Sequence, residues 1–263
     1  MPLQHLSLTG GTIAYDLTGP ADGPLVICVH GLGDTRASYR FLAPKLAESG
    51  YRVAAMDVRG HGDSSTRWPE YSTPAVADDI SALINRLGGP AILIGHSFAA
   101  GSSAMVAART PEAVDRLVLI GPAVHHRPLR FPLKQVVTMV TSNPTLWSKF
   151  YQSLYPGPKP ADFTQYLYDM RAGLRRPGRM AAVKRLMQSF GPDTDVDLST
   201  VDTPALIVMG ENDRDFNDPA KEADRIARSL AGSEVRLIPR SGHYPHVDTP
   251  DRTGTLITDY LAR

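Results

Sequence analysis

A doubly wound α/β architecture, mostly parallel and with a helical segment inserted late in the chain, is what this sequence predicts. Three observations carry it. Short apolar runs recur at residues 25–29, 53–56, 91–94, 117–120 and 205–209. They are too short for core helices and apolar at every position, the pattern of strands buried on both faces of a parallel sheet. Amphipathic helical patterns alternate with them, which is the rhythm of βα units. That rhythm fails once, between about residues 122 and 200.

The elements follow in order. Residues 3–8 and 12–17 read as two strands joined at Thr9-Gly10-Gly11, a hairpin signal. Strand 25–29 leads to a helix carrying Tyr39, Phe41, Leu42 and Leu46 and ending near Gly50. After strand 53–56, Ser72-Thr73-Pro74 opens a helix with Val76, Ile80, Leu83, Ile84 and Leu87 on one face, stopped by Gly88-Gly89. Strand 91–94, a small-residue helix and strand 117–120 come next. Strand 205–209, a helix opened by Asp218-Pro219, strand 235–238 and a helix carrying Leu256, Ile257, Tyr260 and Leu261 complete the pattern. In the interruption, four apolar groupings predict four helices: Leu133 to Val140, Leu146 to Leu154, Phe163 to Met170, and Ala182 to Phe190. Proline-rich joints such as Tyr155-Pro156-Gly157-Pro158-Lys159-Pro160 separate them. The expected organisation is a core of residues 1–121 and 201–263 with a helical cap, or lid, at 122–200.

Composition bounds the function. Of 263 residues, 42% are apolar and 21% charged, and the formal net charge is +1. That balance gives no general reason to expect nucleic acid or a membrane as partner, and no apolar run is long enough to cross a bilayer. A small-molecule substrate and a monomer or homodimer are expected. Met1-Pro2-Leu3-Gln4-His5 lacks a charged region followed by an apolar one. The lone Cys28, inside an apolar strand, reads as a buried inert thiol. The expected location is therefore cytoplasmic.

Gly95-His96-Ser97-Phe98-Ala99 directly follows an apolar strand. A buried strand that restarts as a small-residue helix sets Ser97 on a tight turn that lifts its hydroxyl clear of the backbone, the G-x-S-x-G pattern with Ala99 in the last place. A serine hydroxyl needs a base to take its proton, and the base needs an orienting acid. Gly210-Glu211-Asn212-Asp213 follows strand 205–209, and Ser241-Gly242-His243 follows strand 235–238. All three groups lie just past the carboxyl ends of parallel strands, where open α/β sheets place their sites. Asp213 has rivals in Glu211, Asp215 and Asp218, of which Asp218 reads as a helix N-cap; His246 competes with His243.

On these motifs, with His30-Gly31-Leu32-Gly33, Asp57-Val58-Arg59-Gly60-His61-Gly62-Asp63-Ser64 and Gly242-His243-Tyr244-Pro245-His246 in the same order, the chain resembles a capped member of the α/β-hydrolase superfamily. The likeness covers nearly its whole length apart from the cap. The resemblance implies Ser97 as nucleophile, His243 as base and Asp213 as its orienting acid. The backbone N–H groups of Leu32 and Phe98 would form the oxyanion hole, where losing one donor costs roughly 10²–10³ in rate. It implies a cofactor-free serine hydrolase acting on a carboxylic ester or related acyl bond. The same triad also serves carbon–carbon, lactone and thioester hydrolysis, and some relatives keep it as small-molecule receptors. Protonation of His243 is expected to remove activity below a pH near about 6.5.

Other patterns read more plainly. His30 and the loop from Asp57 to Ser64 look structural, although His30 also lies where a pocket would be. Trp147, Phe150, Tyr151, Tyr155, Phe163, Tyr166 and Tyr168 either pack the cap or line a pocket; Trp147, Tyr151 and Tyr166, with His30 and His246, are the pocket candidates. Arg171, Arg175 and Arg179, beside Arg176, Lys184 and Arg185, read as a solvated basic face, with an anionic substrate as the sharper alternative. Gly31-Leu32-Gly33 fails as a dinucleotide loop because Arg36 stands at the third glycine place. His125-His126 have no carboxylate or cysteine at metal-ligand spacing, so no metal is expected.

Overall fold

The computed structural model describes residues 3–125, 131–157, 159–191 and 195–263. Met1 and Pro2 of the amino-terminal reading, His126 of the metal reading and Pro158 of the proline-rich joint lie outside them. The described residues form an eight-stranded sheet: β1 (Gln4–Leu8), β2 (Gly11–Thr18), β3 (Leu25–Val29), β4 (Arg52–Met56), β5 (Ala91–His96), β6 (Val114–Ile120), β7 (Ala205–Gly210) and β8 (Glu234–Ile238). Their order across the sheet is β1-β2-β4-β3-β5-β6-β7-β8. The first two strands pair antiparallel with each other, β2 pairs antiparallel with β4, and every later pair is parallel.

β3, β5 and β7 are buried at every position, as their unbroken apolar character requires, whereas β8 at the edge is half-exposed for most of its length. The predicted helix near Tyr39 is two pieces: a 3-10 turn, Arg36–Tyr39, and α1 (Leu42–Glu48). Tyr39 ends the 3-10 turn, and its hydroxyl donates down to the carbonyls of Val29 (2.8 Å) and Ile94 (3.1 Å). α2 (Thr73–Leu87) starts where Ser72 accepts from the amide of Ala75 and stops at Gly88 in the left-handed region. α3 (Phe98–Arg109) follows β5 with no intervening loop.

Between β6 and β7 the described residues contain no strand. Four helices run there: α4 (Leu133–Val140), α5 (Pro144–Ser153), α6 (Phe163–Leu174) and α7 (Arg179–Gln188). α5, α6 and α7 share a cluster of buried side chains, among them Trp147, Tyr151, Phe163, Tyr166 and Val183, with Tyr155, Tyr244 and Val247 of neighbouring segments, and the half-buried Val140 of α4 packs against it. α8 (Pro219–Ser229), opened by the Asp218 side chain, α9 (Pro245–Asp248) and α10 (Pro250–Leu261) complete the fold. Cys28 is fully buried, and burial pushes its thiol far above the ordinary range, which leaves it inert.

Candidate active site

The turn between β5 and α3 holds the most strained residue of the site. Ser97 has φ 56° and ψ −125° and is one of two described non-glycine residues with positive φ. A side chain there costs about 1–3 kcal/mol, so the surroundings must impose it. They do so through the Ser97 amide, which donates to the carbonyl of Ile120 on β6 (2.9 Å), and through its carbonyl, which accepts from Ala100 and Ala123 (both 3.1 Å). Gly95 explains the small-residue pattern: a Cβ there would stand 2.6 Å from both the carbonyl of Ala99 and the hydroxyl of Ser103. Ser97 is half-buried while its neighbours His96 and Phe98 are buried.

Beside this turn, His243 follows β8 and Asp213 follows β7. Asp213 Oδ2 lies 2.7 Å from His243 Nδ1, and each residue is 2% exposed. Asp213 Oδ1 accepts the amide of Asp215 at 2.9 Å, so the short turn that supplies the carboxylate also fixes it. Asp215 reaches the other side of the same ring, its Oδ2 3.5 Å from His243 Nε2. The two rival acids therefore divide the imidazole, Asp213 at Nδ1 and Asp215 beside Nε2. Glu211 is exposed, and Asp218 caps α8. Among the described residues Ser97 Oγ makes no hydrogen bond; such contacts are often long before substrate binds and tighten in the complex.

Burial works against a charged imidazole. The negative charges of Asp213 and then Asp215, with the Asp213 hydrogen bond, outweigh it and raise His243 to about 9. That lies above the ordinary histidine value of about 6.5, on which the expected loss of activity rests. One carboxylate is counted in the sequence reading; the structure supplies two.

The two amides expected to form the oxyanion hole belong to the two segments that meet at the site. Phe98 is the first residue of α3, whose initial N–H groups have no partner within the helix. Leu32 sits in the loop after β3, shaped by neighbours that are all committed: Gly33 N–H donates to His61 Nε2 (3.0 Å), and Trp147 Nε1 donates to the carbonyl of Gly33 (3.2 Å). Gly33 has φ 67°, and any Cβ there would overlap the Trp147 indole. The loop and the cap helix α5 are thus built against each other.

The polar motifs around the site act as fasteners. His30 accepts the amide of Val58 at Nε2 (3.0 Å), which leaves Nδ1 as the nitrogen facing the carbonyl of Gly31 (2.7 Å). Asp57 accepts the amides of Arg36 and Asp63 (both 2.8 Å) and pairs with the Arg36 guanidinium. His96 holds the backbone carbonyl of His243 at 2.9 Å. His30, His61, His96 and His246 are all buried and pushed down, His30 to about 4 and His61 and His246 to about 3, chiefly by desolvation.

The five pocket candidates are buried side chains, each with a contact of its own. His30 ties two loops, and Trp147 covers Gly33. Tyr151 donates to Asp34 Oδ2 (3.1 Å) and bonds the Tyr155 hydroxyl (2.8 Å), while the Tyr166 hydroxyl donates to Asp34 Oδ1. His246 is buried against Tyr39, with ring centroids 5.1 Å apart. Sequence reasoning missed Asp34, a carboxylate 1% exposed at the junction of cap and core. Its tyrosine partners lie 117 and 132 residues away, so no local pattern marks it. Among the described residues no group of three or more His, Cys, Asp or Glu side chains could hold a metal ion.

A serine on a strained strand-to-helix turn, with a carboxylate–histidine pair beside it above a parallel sheet, defines a hydrolase of the α/β fold. The chain belongs to the alpha/beta hydrolase family, whose sequence model matches residues 26–254. The proline iminopeptidase PfmaB of Pestalotiopsis fici is 25% identical over 99% of this chain and 100% of its own length. The magnesium-chelatase 30 kDa subunit of Rhodobacter capsulatus is 30% identical over 93% of this chain and 89% of its own. Among solved structures, the carboxylesterase CesB of Bacillus subtilis shares the fold with a TM-score of 0.84 at 19% identity, covering 99% of this chain and 91% of that one.

Proposed function

We propose that this protein hydrolyses a carboxylic ester, or a related acyl bond, of a small molecule through an acyl-enzyme on Ser97. The observation that carries the reading is the positive φ of Ser97, a strain that an ordinary helix N-cap has no reason to bear. In this reading the neutral His243 takes the Ser97 proton at Nε2 as Oγ attacks the carbonyl. Asp213 holds the ring by Nδ1–H and stabilises the imidazolium. The amides of Leu32 and Phe98 receive the oxyanion. The same imidazolium protonates the leaving alkoxide, and its neutral form then activates the water that frees the acid. The two carboxylates hold His243 above the ordinary histidine range, so the neutral ring that the first step needs is favoured by rising pH.

The test is steady-state turnover of p-nitrophenyl esters, from acetate to long-chain acyl, by wild type and Ser97→Ala in parallel. Multiple turnovers that fall by at least about 10³-fold in the variant are expected. Absence of turnover in the wild type would sink the ester reading, and undiminished turnover by the variant would remove Ser97 from the mechanism.

A further inference from the structure

α4 departs from the way the other long helices are packed. None of its eight residues is buried. Yet Leu133, Val136, Val137, Met139 and Val140 occupy one arc of roughly 160° at the helical turn of about 100° per residue, with Lys134, Gln135 and Thr138 opposite. Val137 and Val140 are half-buried, Val140 against the cap cluster, but Leu133 is 53% exposed, Val136 46% and Met139 55%, and Phe131, just before the helix, is 81% exposed. Four of the seven exposed large apolar side chains among the described residues thus fall within nine positions.

The charge of the chain segment that carries this face is equally one-sided in sequence. Residues 122–200 carry eleven lysines and arginines against five aspartates and no glutamate, while the rest of the chain carries 17 basic against 22 acidic residues. From Arg116 to Ala161 there is no acidic residue at all, and Arg127, Arg130, Lys134, Lys149 and Lys159 fall in that stretch. The overall charge of +1 conceals this division, which is why composition gave no reason to expect a membrane partner.

We propose that α4, with Phe131, docks the cap onto an anionic lipid surface. An exposed apolar row with a lysine on the opposite side of its helix, in a stretch of chain rich in cations and without acids, suits the headgroup boundary, apolar side chains entering the acyl region and cations meeting lipid phosphates. A second copy of the chain fits this face poorly, because a two-fold contact through α4 brings the same basic surface against itself. The helix is about 12 Å long and rests on a surface; among the described residues no helix is long and apolar enough to cross a membrane. α4 leads directly into α5, whose Trp147 covers the loop carrying Leu32, so docking sets the lipid one helix away from the site.

The experiment is co-sedimentation with vesicles of phosphatidylcholine alone or with about 30% phosphatidylglycerol. Wild type, Ser97→Ala and the double variant Val136→Asp/Met139→Asp are compared. Both substituted side chains are exposed, and circular dichroism confirms that the variant is folded. Wild type and Ser97→Ala should bind the phosphatidylglycerol vesicles equally, so that the outcome is independent of any hydrolysis. The double variant, and the wild type on phosphatidylcholine alone, should bind at least about tenfold more weakly. Binding should also weaken as salt rises. No vesicle binding by the wild type, or equal binding by the double variant, overturns the proposal. So does a wild-type dimer in light scattering that the double variant turns into a monomer, since the face would then belong to a second copy.

Discussion

The sheet and the helices that cross above it are held together by different means. In the core, β3, β5 and β7 bury every side chain, alternate residues such as Val26 and Ile27 joining the two apolar clusters. The cap has a smaller cluster of its own and meets the core through apolar contacts, Ala182 and Leu186 joining the core cluster and Phe190 lying against Phe98, and through a set of polar ties. Asp34 receives two tyrosine hydroxyls, Arg40 pairs with Asp162 (2.6 Å), Arg176 with Asp63 (3.0 Å), and the amide of His243 donates to the carbonyl of Leu154 (3.1 Å). Apolar burial is non-directional, so the core tolerates no loss of volume but little depends on any single angle. Hydrogen-bonded ties are directional and exchange with water, so they hold a segment in place and let it go at modest cost. The division suits a molecule whose rigid part positions Ser97 and whose upper part admits a substrate.

Truncation in each region is the harshest way to break the comparison. Leu93→Ala in β5, at a position with no exposure, should cost about 2–5 kcal/mol of unfolding free energy in urea. Leu133→Ala on α4 should change it by no more than about 0.5 kcal/mol. Equal losses at the two sites would mean that the α4 face is packed in solution and would remove the contrast.

The same contrast governs what the sequence could disclose. Strands and helices of the core were legible because a wholly apolar run or a 3.6-residue period has one physical outcome in a parallel sheet. Ser97, Asp213 and His243 were legible because each follows a strand at its carboxyl end, where the topology alone brings them together. Asp34 was not, since a carboxylate in a Gly-Leu-Gly-Asp loop looks solvated until tyrosines from α5 and α6 arrive over it. For α4 the period disclosed a helix with an apolar face, but a covered face and an open one have the same sequence pattern. Between Asp213 and Asp215 the spacing placed both acids on one turn; only the geometry assigned each to its side of the ring.

Removing one tie tests the junction between the regions. Tyr166→Phe deletes a hydroxyl that donates to the buried Asp34, at an expected cost of about 1–3 kcal/mol. Burial raises Asp34 to about 6 against the opposing hydrogen bonds of Tyr166, the Thr35 amide and Tyr151. The hydroxyl stabilises the ionised form, so the loss should be largest above pH 6 and shrink below it as Asp34 takes up a proton. Urea unfolding of wild type and variant at pH 5 and pH 8 measures the difference. A loss that is the same at both values would show that Asp34 does not titrate in that window.

The mildest change should act on the rigid region and its chemistry alone. Asp215 is exposed and contributes to raising His243 to about 9. The catalytic base must be neutral, so kcat/KM should climb with pH and level off only near 9 in the wild type. Asp215→Asn keeps the shape and removes the charge beside Nε2, while Asp213 stays on Nδ1. The rising limb should therefore move to lower pH. For each pH unit that it falls, activity at pH 7 should increase about tenfold. Asp213→Asn should instead lower activity across the whole range, because the ring loses the acceptor that orients it. A full pH profile of the three proteins separates the roles. If Asp215→Asn leaves the limb in place and lowers activity like Asp213→Asn, Asp215 is a second orienting group, and the raised base owes its position to Asp213 alone.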